Sequence, residues 1–460
     1  MMLVTHRGPF SFSVRGDGEF EAKRGAGGIV SALLPLVDSG VAAGHERAAW
    51  IAATIDDDDR AALEAGVATV PGLDLHLLAL DPAQHRLHYD IVSNATLWFL
   101  HHGLFDLPRH PRFDDNFRTA WESYVAVNEQ FAAAVIETAG SGETVLVHDY
   151  QLALVPGLVR AARPDVAMLH FTHTPFCGPN SVRVLPTDIG IALCRSMASV
   201  PAGFHTTRWA QAYEASARAV LGMEAPVRRP FASPLGPDPD ALVEDSAAAA
   251  ASGYTAELAE LVGDRKLIVR SDRIDPAKNI VRGFAAYDEL LASHAEWLDR
   301  VVFLARLTPS RESLDEYVAY RHEVEQAAAH VNDRWARGDW LPVIVDTRDD
   351  YERSVAAFAR YDVLLVNPLK DGLNLVAKEG PLVNERDGVL CLSHDAGAFD
   401  ELHDAVVAVH PYDISQSAAA LYEALTMPAA DRAHRARRLR ALIAMHTPRS
   451  WLENLVSHAA

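Results

Sequence analysis

The chain has 460 residues, 49% apolar and 23% charged, the balance of a soluble globular protein but too long for one ordinary core, so two to four folding units of roughly 100–200 residues are expected. Its 62 acidic against 42 basic side chains leave a net charge of −20, which argues against a nucleic acid or an anionic membrane surface as main partner and requires a local basic pocket for any anionic substrate. The three cysteines, Cys177, Cys194 and Cys391, indicate neither a disulfide framework nor a cysteine-based zinc site, and the absence of a leader pattern or an apolar run of ~18 residues predicts a cytoplasmic protein.

In chain order, strands are predicted at 3–5, 144–148, 167–172, 266–270, 300–304, 342–345, 362–366 and 389–393. Helices are predicted at 116–139 and 313–331, where apolar residues recur at helical spacing over stretches too long for strands, and a short one at 29–34 after the glycines. The alternation predicts an α/β chain with parallel sheets covered by helices on both faces. Pro226, Pro230, Pro234, Pro237 and Pro239 punctuate the sequence ahead of an Ala-rich run, which places a boundary between domains at 1–236 and 237–445. The Ala/Arg-rich helix at 429–445 is then interrupted before a last short helix at 451–458.

Ligands of open parallel sheets bind beyond the C-terminal strand ends, and polar residues cluster there. Arg7 follows the first strand, Asp149 the strand ending at 148, and His173 the next. Arg273 and Lys278 follow the strand at 266–270. The run Asp371-Gly372-Leu373-Asn374-Leu375-Val376-Ala377-Lys378-Glu379 reads as the end of a strand, a turn and the start of a helix. Its backbone N–H groups suit a phosphate, and Asp371 and Glu379 suit sugar hydroxyls. Two basic residues past one strand and a helix N-terminus past another would clamp a diphosphate. Each feature also has a plainer reading. Arg273 and Lys278 would pair with Asp272 and Asp275 in a surface turn, His173 would be a buried core histidine, and Asp149 would cap the next helix. Gly27-Gly28 would be a turn or a point of close backbone approach. The acidic groups Asp56–Asp59, Asp114-Asp115 and Asp238/Asp240 read as solvated or linker residues, and no metal site is expected. No zinc-protease, dinucleotide, nucleophile-elbow or phosphate-loop motif is present.

Taken in order, Val4-Thr5-His6-Arg7, Gly27-Gly28, Tyr89 to Trp98, His148-Asp149-Tyr150-Gln151-Leu152, His173-Thr174-Pro175-Phe176, Asp272 to Lys278, Pro309-Ser310-Arg311 and Asp371 to Glu379 resemble the trehalose-6-phosphate synthase family, nearly end to end. The resemblance implies a GT-B fold, two Rossmann-like domains facing a cleft, with the segment 446–460 packing back on the N-terminal domain. It implies retaining transfer of glucose from UDP- or GDP-glucose to glucose 6-phosphate, without cofactor or metal. By the same resemblance Arg273 and Lys278 hold the donor diphosphate, both facing solvent in the free protein. Glu379 holds the ribose, Gly27, Gly28 and the backbone of Gly372, Leu373, Asn374, Leu375 and Val376 the diphosphate and sugar, and Asp149, His173 and Asp371 the transferred sugar. Arg7, Tyr89, Trp98 and Arg311, with Asp149, match the acceptor set.

Departures leave the donor site intact but leave the acceptor and the nucleotide base open. His6 stands where the family has Asn, Gly8-Pro9 replaces Leu-Pro, and Cys177-Gly178-Pro179-Asn180 is unusual. The run 380–387 and Arg208-Trp209 are more similar to the validoxylamine 7′-phosphate synthase branch, which joins cyclitols. Three functions stay open at this point: glucosyl transfer to glucose 6-phosphate, transfer to a cyclitol or other phosphorylated acceptor, and a non-catalytic sugar-phosphate-binding paralogue. Expected partners are small molecules only, with self-association left open.

Overall fold

The computed structural model describes residues 1–16, 19–25, 30, 33–34, 48–70 and 72–459. The chain divides into two compact units, Met1–Leu235 with Pro448–Ala460, and Gly236–Thr447.

The first unit contains strands β1 (Met2–Arg7), β2 (Phe10–Val14), β3 (Phe20–Arg24), β4 (Ala48–Ala53), β5 (Leu73–Leu78), β6 (Thr144–His148), β7 (Ala167–Thr172), β8 (Ala202–Phe204) and β9 (Phe231–Ala232). Seven form one sheet in the order β5-β4-β1-β6-β7-β8-β9, every adjacent pair parallel. β2 and β3 make a separate antiparallel hairpin. β4, Ala-Ala-Trp-Ile-Ala-Ala, is buried along its whole length, as a central parallel strand covered on both faces must be. Val4, Ile51, Val147 and Met168 from the strands pack with Val127 and Phe131 of the helix Asp115–Thr138 in one core. Asp114 starts that helix by accepting the Phe117 N–H (3.1 Å), the role a short acidic side chain plays at a helix N-cap.

Ahead of that helix, Leu87–Trp98 is a twelve-residue π-helix. Such i→i+5 stretches usually occur as single turns, and nothing in the apolar spacing of this segment distinguishes it from an α-helix.

The second unit contains β10 (Lys266–Arg273), β11 (Val301–Thr308), β12 (Val343–Asp346), β13 (Val363–Val366), β14 (Val389–Ser393) and β15 (Val407–Val409), a parallel sheet in the order β12-β11-β10-β13-β14-β15. Its core joins Ile268, Phe303, Val363 and Cys391 of the strands to Phe284, Tyr287 and Leu421 of the covering helices.

Each sheet has a point where the chain, having run outward to one edge, returns to the other side of its first strand. In the first unit that point lies between β1 and β6, and in the second between β10 and β13. The crevice outside the strand ends at such a reversal is where open α/β sheets bind ligands. Arg7 and Asp149 stand at the first reversal, and Arg273, Lys278 and Asp371 at the second.

Several sequence expectations change in detail. β10 runs on to Arg273, so that residue ends the strand and does not follow it. The Asp56–Asp59 run is only partly solvated: Asp59 is buried and accepts the Phe12 and Ile55 N–H groups (2.8 and 2.9 Å). Asp238 caps the helix Pro239–Ala251. Of the helix expected at 29–34, residues 30, 33 and 34 are described, and they are helical.

Candidate functional site

In the second unit, the loop after β13 is fixed by backbone contacts with the loop after β14. Asp371 N–H reaches the Asp395 carbonyl (3.1 Å), Gly397 N–H the Asp371 carbonyl (3.1 Å) and Ala398 N–H the Leu373 carbonyl (2.8 Å). This pairing needs a glycine at 397, because a Cβ there would lie 2.0 Å from the Gly372 carbonyl oxygen. Asn374 adopts the left-handed region at φ 80°, which a short polar side chain tolerates. Its Oδ1 accepts the Ala377 N–H (3.2 Å) and its Nδ2 donates to Asp371 (3.1 Å). One N–H of the first turn of the helix Val376–Val383 is therefore satisfied internally, so the anion-binding capacity expected of that terminus is reduced by a self-made cap.

The same Asp371 oxygen meets Lys278 Nζ at 2.6 Å. Against the expectation of a solvent-facing lysine, the Lys278 side chain is only 16% exposed and lies between Asp371 and Asp272, the latter at 3.9 Å. Burial alone would pull its ammonium down, but the two carboxylates outweigh burial and hold it above the ordinary lysine value. Below it, the fully buried Arg270 pairs with Asp272 (2.8 Å) and donates to the Lys278 carbonyl (2.9 Å). Arg270 is a supporting residue that motif reading missed. A buried charged residue in an apolar strand, two positions from an aspartate, was the available signal. Arg273 is exposed, so it and Lys278 differ sharply in setting. Of the plainer pairings, Lys278 with Asp272 is met, while Asp275 turns to other partners.

Those partners include Arg311. Its guanidinium lies 3.4 Å from the completely buried Asp275 and contacts the Tyr317 hydroxyl, which itself donates to Asp275 (2.9 Å). Arg311 has a φ of 50°. Glu379 is half-buried on the helix Val376–Val383; desolvation, and then Asp245, push its carboxyl up to about 7. The neighbouring Lys378 turns the other way, fully buried against Glu401 at 2.7 Å.

In the first unit, Asp149 has a φ of 68°, a backbone state that costs a non-glycine residue on the order of 1–3 kcal/mol and concentrates at functional sites. It is held from three sides. Its N–H donates to the Phe171 carbonyl (2.8 Å), its carbonyl accepts from His170 Nε2 (3.1 Å), and its Oδ1 accepts the His173 N–H (2.9 Å). It does not cap the short helical turn that follows. His173 is half-buried, and both its ring nitrogens meet other histidines: His148 Nδ1 at 3.1 Å and His205 Nε2 at 3.1 Å. Trp451, from the helix Pro448–His458, lies against His148, Phe171 and His173 with ring centroids 5.1–6.1 Å apart.

Tyr89 stacks on His6 (4.7 Å between centroids, 11° between planes) and carries Arg7 over its ring at 5.6 Å. His6 in turn stacks on His85 and His88, with its Nε2 3.0 Å from His85 Nε2. Trp98 stacks on His102 (4.0 Å) and leans on Tyr150 (6.0 Å). His88 Nε2 donates to the Gln151 carbonyl (2.9 Å), which ties the π-helix to the loop after Asp149.

The first unit thus brings together Arg7, Tyr89, Trp98, Asp149 and His173. The second brings together Lys278, Asp371 and the Gly372–Val376 turn, with Arg273, Arg311 and Glu379 on the same sheet's loops and first helical turn. Gly27 and Gly28 lie outside the described residues. No group of three or more metal-ligating side chains occurs among the described residues, and none of the described helices is long and apolar enough to cross a membrane.

The description Glycosyltransferase family 20 matches residues 1–460. The chain is 32% identical, over 483 aligned positions, to the trehalose-6-phosphate synthase of Mycobacterium avium, with 100% of this chain and 95% of that one covered. It is 29% identical over 471 positions to the alpha,alpha-trehalose-phosphate synthase (UDP-forming) A of Dictyostelium discoideum, covering 98% of this chain but spanning only 61% of that longer relative. The crystal structure of a UDP-forming alpha,alpha-trehalose-phosphate synthase from Burkholderia xenovorans, in complex with glucose-6-phosphate, superposes with a TM-score of 0.84 at 26% identity over 99% of this chain and 98% of that one. The two parallel-sheet units are those of the GT-B fold expected from the motifs. With the match running the full length and the strand-end residues standing at both chain reversals, the chain belongs to glycosyltransferase family 20, the family of the trehalose-6-phosphate synthases.

Proposed function

We propose that the protein transfers glucose from UDP- or GDP-glucose to the anomeric hydroxyl of glucose 6-phosphate, with retention, giving trehalose 6-phosphate and a nucleoside diphosphate. The observation that carries this reading is the Lys278–Asp371–Asn374 chain ending on a helix N-terminus at the β10/β13 reversal. It sets a cation, a carboxylate and backbone donors where a diphosphate-linked sugar fits. The named activity of the Mycobacterium avium relative supports the same reading, and the glucose-6-phosphate bound to the Burkholderia xenovorans protein supports the acceptor.

In the proposed reaction the acceptor's O1 attacks C1 of the donor glucose on the face from which the diphosphate departs. The C1–O bond to phosphate breaks as the new C1–O bond forms, and the acceptor proton goes to the leaving phosphate oxygen. Arg273 and Lys278 stabilise the charge that grows on the diphosphate, the preorganised electrostatic role that contributes most when water is excluded. Asp371, its charge partly balanced by Lys278, orients the sugar hydroxyls, and Glu379 orients the ribose. Asp149 and His173 hold the transferred sugar from the first unit, and Arg7, Tyr89, Trp98 and Arg311 take the acceptor. With these cations doing the electrostatic work, we propose that no metal is required.

A second reading, transfer to another phosphorylated acceptor such as a cyclitol phosphate, draws on His6. It is stacked directly under the acceptor residue Tyr89, at a position where the resembled family carries Asn. Purified protein incubated with UDP- or GDP-glucose and a panel of phosphorylated acceptors, with mass detection of products and with EDTA in a parallel reaction, separates the readings. Trehalose 6-phosphate formed equally with and without EDTA is the expected result. No transfer from either donor to any acceptor would refute the transferase reading.

A further inference from the structure

His148 ends β6, and His173 and His205 follow the neighbouring strands β7 and β8; the three form one row of hydrogen-bonded imidazoles. Burial holds His148 down to about 3 and His173 well below the ordinary histidine value, so neither carries a charge at neutral pH. A neutral imidazole has one N–H and one bare nitrogen, and the row therefore has a direction. Its two terminal nitrogens, His148 Nε2 and His205 Nδ1, are both buried, so the ends leave both directions open. In either direction His173 donates from one ring nitrogen and accepts at the other, with His148 on its Nε2 side and His205 on its Nδ1 side.

We propose that His205 is a positioning residue of the proposed transferase site: with His148 it locks the His173 ring in a single orientation and a single tautomer, so that His173 serves as a fixed support and not as an acid or base. Both ring nitrogens of His173 are engaged inside the protein, which leaves neither for proton transfer with a substrate. What the row holds is the His173 backbone, whose N–H orients Asp149 Oδ1 (2.9 Å). Trp451 closes the row with an aromatic face. His205 thus acts through two intermediaries, His173 and Asp149. It was absent from the residues that motif reading selected because it stands beyond the three-residue strand β8, too short to register as a strand.

The inference rests on the glucosyl-transfer reading for its kinetic arm only. In the full-length protein labelled with ¹⁵N-histidine, and with the His173 signals assigned by substitution, long-range ¹H–¹⁵N correlation reads the tautomer directly. His173 is expected in a single neutral tautomer from pH 5.5 to 8.5, without titrating. In His205→Leu, kcat is expected to fall about 10- to 100-fold, the scale of a sub-ångström to 1 Å misplacement, with donor KM changed less than about threefold. His205→Gln, whose amide can accept from or donate to His173 Nδ1 in place of Nε2, is expected to recover most of that loss. A His173 ring that titrates within this window or populates both tautomers would overturn the proposal, as would wild-type kcat in a folded His205→Leu. If His205→Leu does not fold, the wild-type tautomer and the His205→Gln rate still decide it. If the wild-type protein transfers no sugar, the functional reading fails while the tautomer measurement stands by itself.

Discussion

Replacing Glu379 by glutamine should make the protein more stable at alkaline pH and almost unchanged at acidic pH. Folded, the Glu379 carboxyl keeps its proton up to about pH 7; its ordinary value is 4.5. Between those two values the folded state binds a proton that the unfolded state has lost, so stability falls as pH rises through this window and levels off above it. At about 1.4 kcal/mol per pH unit, the gap sets an upper bound of about 3.4 kcal/mol, reduced to about 2–3 kcal/mol because the side chain keeps some contact with solvent. Glutamine resembles the protonated form and avoids this loss. Urea unfolding at constant ionic strength should place Glu379→Gln above wild type by under about 1 kcal/mol at pH 5 and about 2–3 kcal/mol at pH 8. Asp245→Asn, which removes the second cause of the shift, should recover part of that gap with Glu379 intact. An offset of the same size at both pH values would refute the reasoning, as would a Glu379→Gln variant no more stable than wild type at pH 8. The stabilised variant should also bind donor more weakly, the familiar conflict between stability and a binding residue kept under strain.

Arg273→Ala should lower kcat/KM at least about 100-fold with an unchanged urea midpoint, because Arg273 is exposed. Lys278→Ala should lose as much activity and also on the order of 2–3 kcal/mol of stability, since it strands Asp371 in a largely buried position; unaltered unfolding would show that the ion pair contributes nothing. Arg311→Ala should harm the use of a phosphorylated acceptor more than a non-phosphorylated one, and should lower the midpoint by removing the cation beside the buried Asp275; equal losses with both acceptors would remove its proposed phosphate role. Gly397→Ala should raise donor KM about tenfold by forcing the Gly372 carbonyl away from a Cβ that has no room, and unchanged donor kinetics would show that the turn adapts.

The parallel architecture was legible because the strands of the second sheet are apolar runs separated by helical spacing, and because the polar residues that follow them cannot belong to the core. β4 was missed although it is as apolar as any of them, since alanines at four of its six positions carry no strand preference. β8 and β9 were too short to detect, and they hide His205. Lys278 was assigned correctly to a strand end but wrongly to solvent, because a lysine's burial depends on a carboxylate 93 residues away that no local pattern reveals. Asn374 was read as part of an anion-binding turn. That its own side chain caps the helix is a matter of a left-handed backbone torsion, which sequence alone hints at only through the residue type.

The unusual winding of Leu87–Trp98 sets which side chains share a face. Tyr89 and Trp98 are nine residues apart. In an α-helix of 3.6 residues per turn that is about two and a half turns, and the two rings would point in opposite directions. At roughly 4.4 residues per turn for i→i+5 winding, the same nine residues make about two full turns, and both rings emerge on one side. The wider helix therefore aligns two aromatic side chains that a regular one would separate. Ordinary α-helical winding at the same nine-residue spacing would turn Trp98 about half a turn away from Tyr89 without changing the chemistry of either ring.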